Sequence, residues 1–293
     1  MIHWMRSEPL EETVSRLARC GYDSIELNGE PDLYDAGAVA DCLDRNGIAC
    51  WGAVTLMEHG GRDMVHPDLY VRRGTQSYLE DTIDLIARLG GNVLCCVPAT
   101  IGKLKPLAPA DAEWKWCLDG LRAAGEFAGE RDVRIALEPI TRFETYLFNR
   151  AEQAMEMVAD VDLPNVGICL DTFHMNIEED EPLQAIRTVG PVLYDFHIAD
   201  SNRRPPGKGT LDWSAILLAL SDAGYSGHLT AEVDPPRDRS TLARVPEDES
   251  GRFSEVYYEE VVASTPRYLR AVDPSQTSTL EQERTVSESE SYG

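Results

Sequence analysis

RIALEP at residues 134–139, VGICLD at 166–171, VLYDFHIA at 192–199 and LTAEV at 229–233 are short apolar runs separated by longer segments of mixed polarity. Runs of this length without alternation of polar and apolar residues are typical of parallel strands that are buried on both faces. Helical patterns fill the segments between these runs. This part of the chain therefore predicts consecutive β–α units in one parallel sheet.

The same alternation extends back to the first residues of the chain. Four earlier runs bring the predicted strands to eight: Ile2–Trp4, Ser24–Leu27, Ala49–Val54 and Asn92–Val97. Eight strands alternating with helices, with no linker between them, predict a single (β/α)8 TIM barrel, for which 293 residues is an ordinary length. A doubly wound open sheet is the alternative, but it usually needs a glycine-rich phosphate loop after its first strand, and the sequence has none there.

Apolar residues recur at helical spacing between the predicted strands. Leu10, Val14 and Leu17 share one helix face, and Gly90 and Gly91 end a similar run that begins at Tyr78. Further helices are predicted over Asp111–Glu130, Ala151–Ala159, Leu183–Val189, Ser214–Ala223 and Ser254–Val272.

Two segments depart from this pattern. We expect the barrel to span residues 1–273, and residues 274–293, which are rich in Ser, Thr, Glu and Gln, predict an acidic disordered tail. Residues 235–251 are polar and contain proline, and they follow the last predicted strand. A barrel places such a loop over its active face, so this segment is either a lid or an insertion without a role there.

The chain is strongly acidic, with 51 Asp and Glu against 27 Lys and Arg and a net charge of -24. This charge disfavours binding to nucleic acid phosphate and to anionic membranes. It predicts a protein from a salt-rich cytoplasm, where counterions screen the self-repulsion; the alternative is an acidic enzyme without that adaptation. No apolar run of transmembrane length and no signal peptide are evident, so we expect a cytoplasmic protein.

The seven cysteines form no CxxC pair. Cysteines of an intracellular chain usually serve as small buried apolar residues. We expect this for Cys95 and Cys96, which lie in the apolar run Val93–Val97.

Four predicted strands end on or near a residue that can bind a metal ion: Glu138, Asp171, His197 and Glu232. The carboxyl ends of barrel strands meet at the active-site rim, where three carboxylates would repel one another. A divalent cation resolves that conflict, and this ligand set suits Mn²⁺, Mg²⁺ or Co²⁺ better than a thiophilic ion. Any one of the four is equally explained as a structural ion-pair partner, but four on consecutive strands favour a metal site.

Three polar residues extend this candidate site. His174 follows Asp171 on the same loop, Glu144 follows Glu138, and Arg203 lies on the loop after His197. Considered alone, His174 is more typical of a histidine that caps a helix or lies in a loop. Arg203 is also explained as a solvated loop cation.

Three motifs in this half of the chain resemble one family. LEPITRFE at residues 137–144, LDTFHMNIE at 170–178 and FHIADSNRRPPGKG at 196–209 resemble the D-tagatose 3-epimerase and D-psicose 3-epimerase group of the xylose-isomerase-like barrels. The similarity is clear over residues 134–233 and looser, at the level of the fold, before them. After Glu232 the chain departs from that group, so no substrate contacts are carried over there.

The resemblance implies a metal-dependent ketose 3-epimerase or a closely related sugar isomerase. It implies one divalent metal ion, Mn²⁺ or Co²⁺ in that group, with Mg²⁺ also compatible with the ligands. The implied metal ligands are Glu138, Asp171, His197 and Glu232. Glu138 and Glu232 would also be the catalytic acid and base, while Glu144, His174 and Arg203 would bind the sugar. By analogy with related barrels, a homodimer or homotetramer is expected.

This chemistry is physically consistent with the residues. A proton next to a ketone is too weakly acidic for a free carboxylate, but coordination of the carbonyl oxygen stabilises the enediolate. Two carboxylates on opposite sides of the substrate can then remove a proton from one face and return one to the other. An aldose–ketose isomerase would use the same enediolate, so the residues leave both reactions open.

Other activities share this barrel. A lyase similar to inosose dehydratase would use the same metal and enolate but expel a hydroxyl group. DNA-repair endonucleases of this fold carry a histidine-rich trinuclear zinc site, which the six histidines and the acidic surface disfavour. A sugar- or metal-binding protein without catalysis is the remaining alternative, and a phosphorylated substrate stays open because Arg203, Arg204 and Lys208 share one loop.

Overall fold

Seven parallel strands form one sheet in chain order in the computed structural model, which describes residues 8–58, 61–233 and 255–274. The strands are β1 (Ser24–Gly29), β2 (Ala49–Thr55), β3 (Val93–Cys96), β4 (Arg134–Leu137), β5 (Val166–Asp171), β6 (Leu193–Ile198) and β7 (Leu229–Ala231). The last seven predicted strands are thus confirmed with small shifts at their ends. The predicted strand Ile2–Trp4 lies outside the described residues.

The sheet curls until its two end strands meet. Thr230 Oγ1 of β7 donates to Glu26 Oε1 of β1 at 2.5 Å, and Ser24 Oγ lies 2.5 Å from His228 Nδ1. Inward-pointing side chains from the strands pack together inside the curl: Val54, Val93, Cys95, Ala136 and Cys169. The single TIM barrel is therefore confirmed.

Helices cover the outside of the sheet. They are α1 (Leu10–Cys20), α2 (Ala36–Asn46), α3 (Leu69–Arg88), α4 (Ala110–Gly129), α5 (Ala151–Val161), α6 (Thr172–Glu178), α7 (Pro182–Val189), α8 (Trp213–Asp222) and α9 (Glu255–Val272). Short 3₁₀ turns occupy Pro31–Leu33 and Gly190–Val192. No helix within the described residues is both long enough and apolar enough to cross a bilayer.

Local sequence signals set the helix ends. Asp35, Asp68 and Asp212 each accept a hydrogen bond from a main-chain N–H in the first turn of the helix that follows. Gly21, with φ of 81°, ends α1 in the left-handed conformation. The helix expected from Tyr78 begins earlier, at Leu69, because Asp68 caps it there.

The last four strands place the candidate residues on one rim of the barrel. Asp171 ends β5 and pairs in register with His197 of β6, while Glu138 and Glu232 directly follow β4 and β7. The segment 235–251 and the tail after Pro274 lie outside the described residues, so both remain predictions.

Candidate functional site

The structure brings the four predicted metal ligands together at the carboxyl ends of the strands. Glu138, Asp171, His197 and Glu232 are all buried, and each offers a ligand atom within 4.8 Å of the other three. His197 Nδ1 lies 3.0 Å from Glu232 Oε2 and 3.5 Å from Glu138 Oε1. The Nδ1 atom of His197 therefore lies close to both Glu138 and Glu232.

This arrangement fits a divalent cation. Within the described part of the chain, Glu138 Oε1 is buried and has no hydrogen-bond partner. A buried carboxylate oxygen that makes no hydrogen bond is costly unless a proton or a cation compensates its charge. Three carboxylates and one imidazole are ligands that Mn²⁺, Mg²⁺ and Co²⁺ accept.

The two carboxylate oxygens of Asp171 have different hydrogen-bond partners. Oδ1 accepts from Phe173 N at 2.6 Å and His174 N at 3.3 Å, which caps the first turn of α6. Oδ2 faces the rim and accepts from Arg203 Nη1 at 2.6 Å. Burial would raise the pKa of Asp171, but chiefly the charge of Arg203 outweighs it and holds that pKa well below its ordinary value.

Arg203 reaches into the site rather than into solvent. Its guanidinium also donates to Glu232 and lies 4.9 Å above the Phe173 ring. Burial raises the pKa of Glu232 to about 8, against the opposite effect of Arg203. Arg203 has φ of 61°, in the left-handed region, so the loop turns sharply where it presents this side chain.

His174 lies in α6 beside the rim. Its Nδ1 accepts from Thr141 N at 3.2 Å, which in a neutral imidazole leaves the proton on Nε2. Burial lowers the pKa of His174 and so favours the neutral ring. Glu144, whose Oε1 lies 3.9 Å from His174 Nδ1, accepts from Thr141 Oγ1 at 3.2 Å.

A cavity of about 680 Å³ opens above these residues. Its polar wall contains Glu138, Glu144, His174, Arg203 and Glu232, and the apolar residues on its wall include Val54, Leu56, Val97, Ile140 and Phe173. A concave site with a few convergent polar groups and an apolar wall is typical of small-molecule binding.

Comparison with known proteins gives the family. The family model for the xylose isomerase-like TIM barrel matches residues 14–249. This chain belongs to the xylose isomerase-like TIM barrel family. It is 31% identical over 225 residues to D-psicose 3-epimerase of Agrobacterium fabrum, which covers 75% of this chain and 77% of that protein. It is 31% identical over 224 residues to L-ribulose 3-epimerase of Mesorhizobium japonicum, over 76% of this chain and 75% of that protein.

A solved structure agrees with these relatives. The crystal structure of D-psicose 3-epimerase with D-tagatose, from Clostridium cellulolyticum, matches with a TM-score of 0.82 and 25% identity. The match covers 93% of this chain and 98% of that one. The resemblance inferred from the three motifs is therefore confirmed, and the relatives are named epimerases, a class of isomerase.

In this xylose isomerase-like barrel, a second layer of acidic residues lies behind His197. His197 Nε2 is 3.2 Å from Glu26 Oε2 and 3.3 Å from Asp195 Oδ2. Trp51 Nε1 donates to Asp195 Oδ1 at 3.0 Å. Burial disfavours a charged His197, but Cys169, Glu26 and Asp195 outweigh it and raise its pKa well above the ordinary value. Glu26 and Asp195 were not predicted as site residues, although each interrupts an apolar strand with a carboxylate.

Asp200 is a third acidic residue of the site that was not predicted from the sequence. It is buried and accepts from Ser201 N, Gly207 N, Leu211 N and Trp213 Nε1 at 2.8, 2.8, 3.2 and 3.0 Å. Its carbonyl oxygen also accepts from Arg203 N at 2.8 Å. Asp200 thus holds the loop that presents Arg203 to the rim.

Proposed function

We propose that this chain is a divalent-metal-dependent ketose 3-epimerase. The observation that carries the proposal is the convergence of Glu138, Asp171, His197 and Glu232. Two of them, Glu138 and Glu232, line a cavity together with further polar groups. Its similarity to D-psicose and L-ribulose 3-epimerases supports the same reaction class.

Two glutamates supply the proton transfers in this proposal. Glu138 follows β4 and Glu232 follows β7, so their carboxylates approach the cavity from strands separated by β5 and β6. One carboxylate removes the proton from carbon 3 on one face of the ketose, and the other returns a proton on the opposite face. The bound cation would polarise the neighbouring carbonyl and make that proton acidic enough to remove.

Three residues orient the sugar in this proposal. Arg203 and His174 present N–H donors to the cavity, while Glu144 presents a carboxylate that accepts from hydroxyl groups. Phe173, on the cavity wall, offers an apolar face to the carbon side of the sugar ring or chain.

We further propose Mn²⁺ as the metal ion, with Co²⁺ or Mg²⁺ as alternatives of similar ligand preference. The net charge of -24 supports function in a salt-rich cytoplasm. We also propose that the chain forms a homo-oligomer. Its barrel domain would span residues 1–273, followed by an acidic tail.

Proton exchange in D₂O tests the function. The purified chain with Mn²⁺ in high salt is incubated with fructose, psicose, tagatose, sorbose, xylulose and ribulose, and NMR follows each carbon. Deuterium at carbon 3 together with a new epimer, abolished by EDTA, is expected. Absence of exchange on every free ketose would contradict the proposal.

Two variants test the assigned acid and base. Glu138→Gln and Glu232→Gln keep an oxygen near the cation but cannot accept the proton, so both should lose most turnover. Glu152→Gln makes the same change at an exposed position of α5 and serves as the control. Near-normal rates in Glu232→Gln would remove that residue from the proposed pair.

A further inference from the structure

Two thiols lie directly beneath the rim, inside the barrel. Cys95 of β3 and Cys169 of β5 are both completely buried and pack with Val54, Val93 and Ala136. Cys96 is the neighbour of Cys95, but it points outward into the core between sheet and helices. Strand alternation therefore turns one cysteine of the pair toward the candidate metal centre and the other away from it.

The two thiols join two residues of the rim in one compact group. Cys95, Cys169, Glu138 and His197 each offer a ligand atom within 4.8 Å of the other three. Cys95 Sγ lies 3.3 Å from Glu138 Oε2, while Oε1 of that carboxylate is buried, makes no hydrogen bond within the described part of the chain and lies 3.5 Å from His197 Nδ1. The group thus contains a buried carboxylate oxygen without a hydrogen bond.

We propose that these four residues, here called the thiol set, form a second cation site that takes a thiophilic divalent ion such as Zn²⁺ or Cd²⁺. Two sulfurs, one imidazole nitrogen and one carboxylate oxygen make a four-ligand set of the kind that Zn²⁺ accepts. Each thiol releases its proton to solvent as its sulfur binds the cation, and no electron transfer is involved.

The thiol set shares Glu138 and His197 with the rim set, by which we mean the four candidate ligands Glu138, Asp171, His197 and Glu232. A cation in one set therefore withdraws two ligands from the other, and the two sites bind in competition. Hard cations prefer the rim, with its three carboxylates, whereas thiophilic cations prefer the sulfurs below it. Glu138 lines the cavity and the two buried thiols do not, so an ion would have to pass the Glu138 carboxylate to reach the thiol set.

Cation binding by the thiol set does not depend on the proposed epimerase activity, whereas its competition with a cation at the rim rests on the metal site of that proposal. The first experiment therefore measures binding alone. Full-length protein stripped of metal with EDTA and then freed of EDTA is titrated with Cd²⁺, and the ultraviolet charge-transfer band of Cd²⁺–thiolate bonds is recorded. We expect this band in the wild type and in Cys96→Ala, and its loss in the double variant Cys95→Ser/Cys169→Ser.

Competition provides the second measurement. Protein-bound Mn²⁺ is followed by electron paramagnetic resonance while Cd²⁺ is added. Since even a partner outside the coordination sphere typically contributes 10- to 100-fold to metal affinity, the double variant should need at least roughly tenfold more Cd²⁺ to displace Mn²⁺. Cys95→Ala/Cys169→Ala replaces the serine variant if circular dichroism finds the latter unfolded.

A band that is absent from the wild type, or that persists in the double variant, would overturn the proposal, because the thiolates would then come from elsewhere or not bind. Equal displacement of Mn²⁺ in the wild type and the double variant would overturn the competition. Failure of carbon-3 exchange on ketoses would refute the proposed function but would leave both of these results intact.

Discussion

Replacing Asp200 with asparagine should release the loop that presents Arg203. The carboxylate accepts from four donors, with Ser201 N and Leu211 N at Oδ1 and Gly207 N and Trp213 Nε1 at Oδ2. An asparagine amide keeps one oxygen, so in either orientation its NH₂ group faces two of these donors.

The magnitude follows from that count. A hydrogen bond to a charged group contributes about 1.5–3 kcal/mol, so losing two costs roughly 3–6 kcal/mol of the free energy of unfolding. That is a large part of the roughly 5–15 kcal/mol that a folded protein typically has. The Tm should fall by on the order of 10 °C for a chain of this size.

Thermal and urea unfolding, followed by circular dichroism, measure the change. Asp212→Asn is the matched control, since it makes the same change on the same loop, where Asp212 caps α8 through Ala215 N. Asparagine caps helices about as well as aspartate, so this control should stay within about 0.5 kcal/mol of the wild type. A loss of less than about 1 kcal/mol in Asp200→Asn would refute the role of the buried carboxylate.

The difference in stability between the wild type and Asp200→Asn should depend on pH. Burial would raise the pKa of Asp200, but hydrogen bonds from Trp213, Ser201 and Leu211 outweigh it and lower that pKa below its ordinary value. A lowered pKa contributes stability above the unfolded value of about 3.9, and this stability is lost as the pH falls through the folded value. The gap between wild type and Asp200→Asn should therefore be constant near neutral pH and shrink below about pH 4.

Three further outcomes are expected. Asp195→Asn should weaken Mn²⁺ binding by about 10- to 100-fold in calorimetry, because His197 loses an acidic partner at Nε2; unchanged affinity would leave Glu26 as its sole acidic support. Arg203→Ala should raise KM for the ketose yet tighten Mn²⁺ binding, because a positive charge leaves Asp171 and Glu232; unchanged kinetics would return Arg203 to a surface role. The Tm should rise with KCl concentration because salt screens the net charge of -24, and a flat dependence would argue against adaptation to high salt.

The rim residues could be predicted from the sequence because they lie at strand ends. Glu138 and Glu232 each follow an apolar run, and a charged residue directly after a barrel strand lies at the active-site rim. Asp171 and His197 were predicted on the same ground, and the structure brings all four together. Their roles in metal binding and catalysis remain predictions.

The supporting residues could not be found in this way, because their partners are distant in the chain. Glu26 contacts His197, which lies 171 residues away, and no local pattern reports that pairing. Helix α6 was missed because seven residues are too few to establish a helical period, and its cap is the Asp171 side chain. Trp51 likewise has partners that are distant in the chain, since it donates to Asp195 and stacks on His228 at 4.2 Å.

The two oxygens of the Asp171 carboxylate connect the candidate cation site with the main chain of α6. One oxygen holds the amide protons of Phe173 and His174, while the other faces the rim. If the proposed cation binds at Oδ2, it should draw charge away from Oδ1 and weaken the hydrogen bonds to those amides. The amide resonance of Phe173 should then shift when a diamagnetic cation such as Mg²⁺ is added, without substrate or turnover.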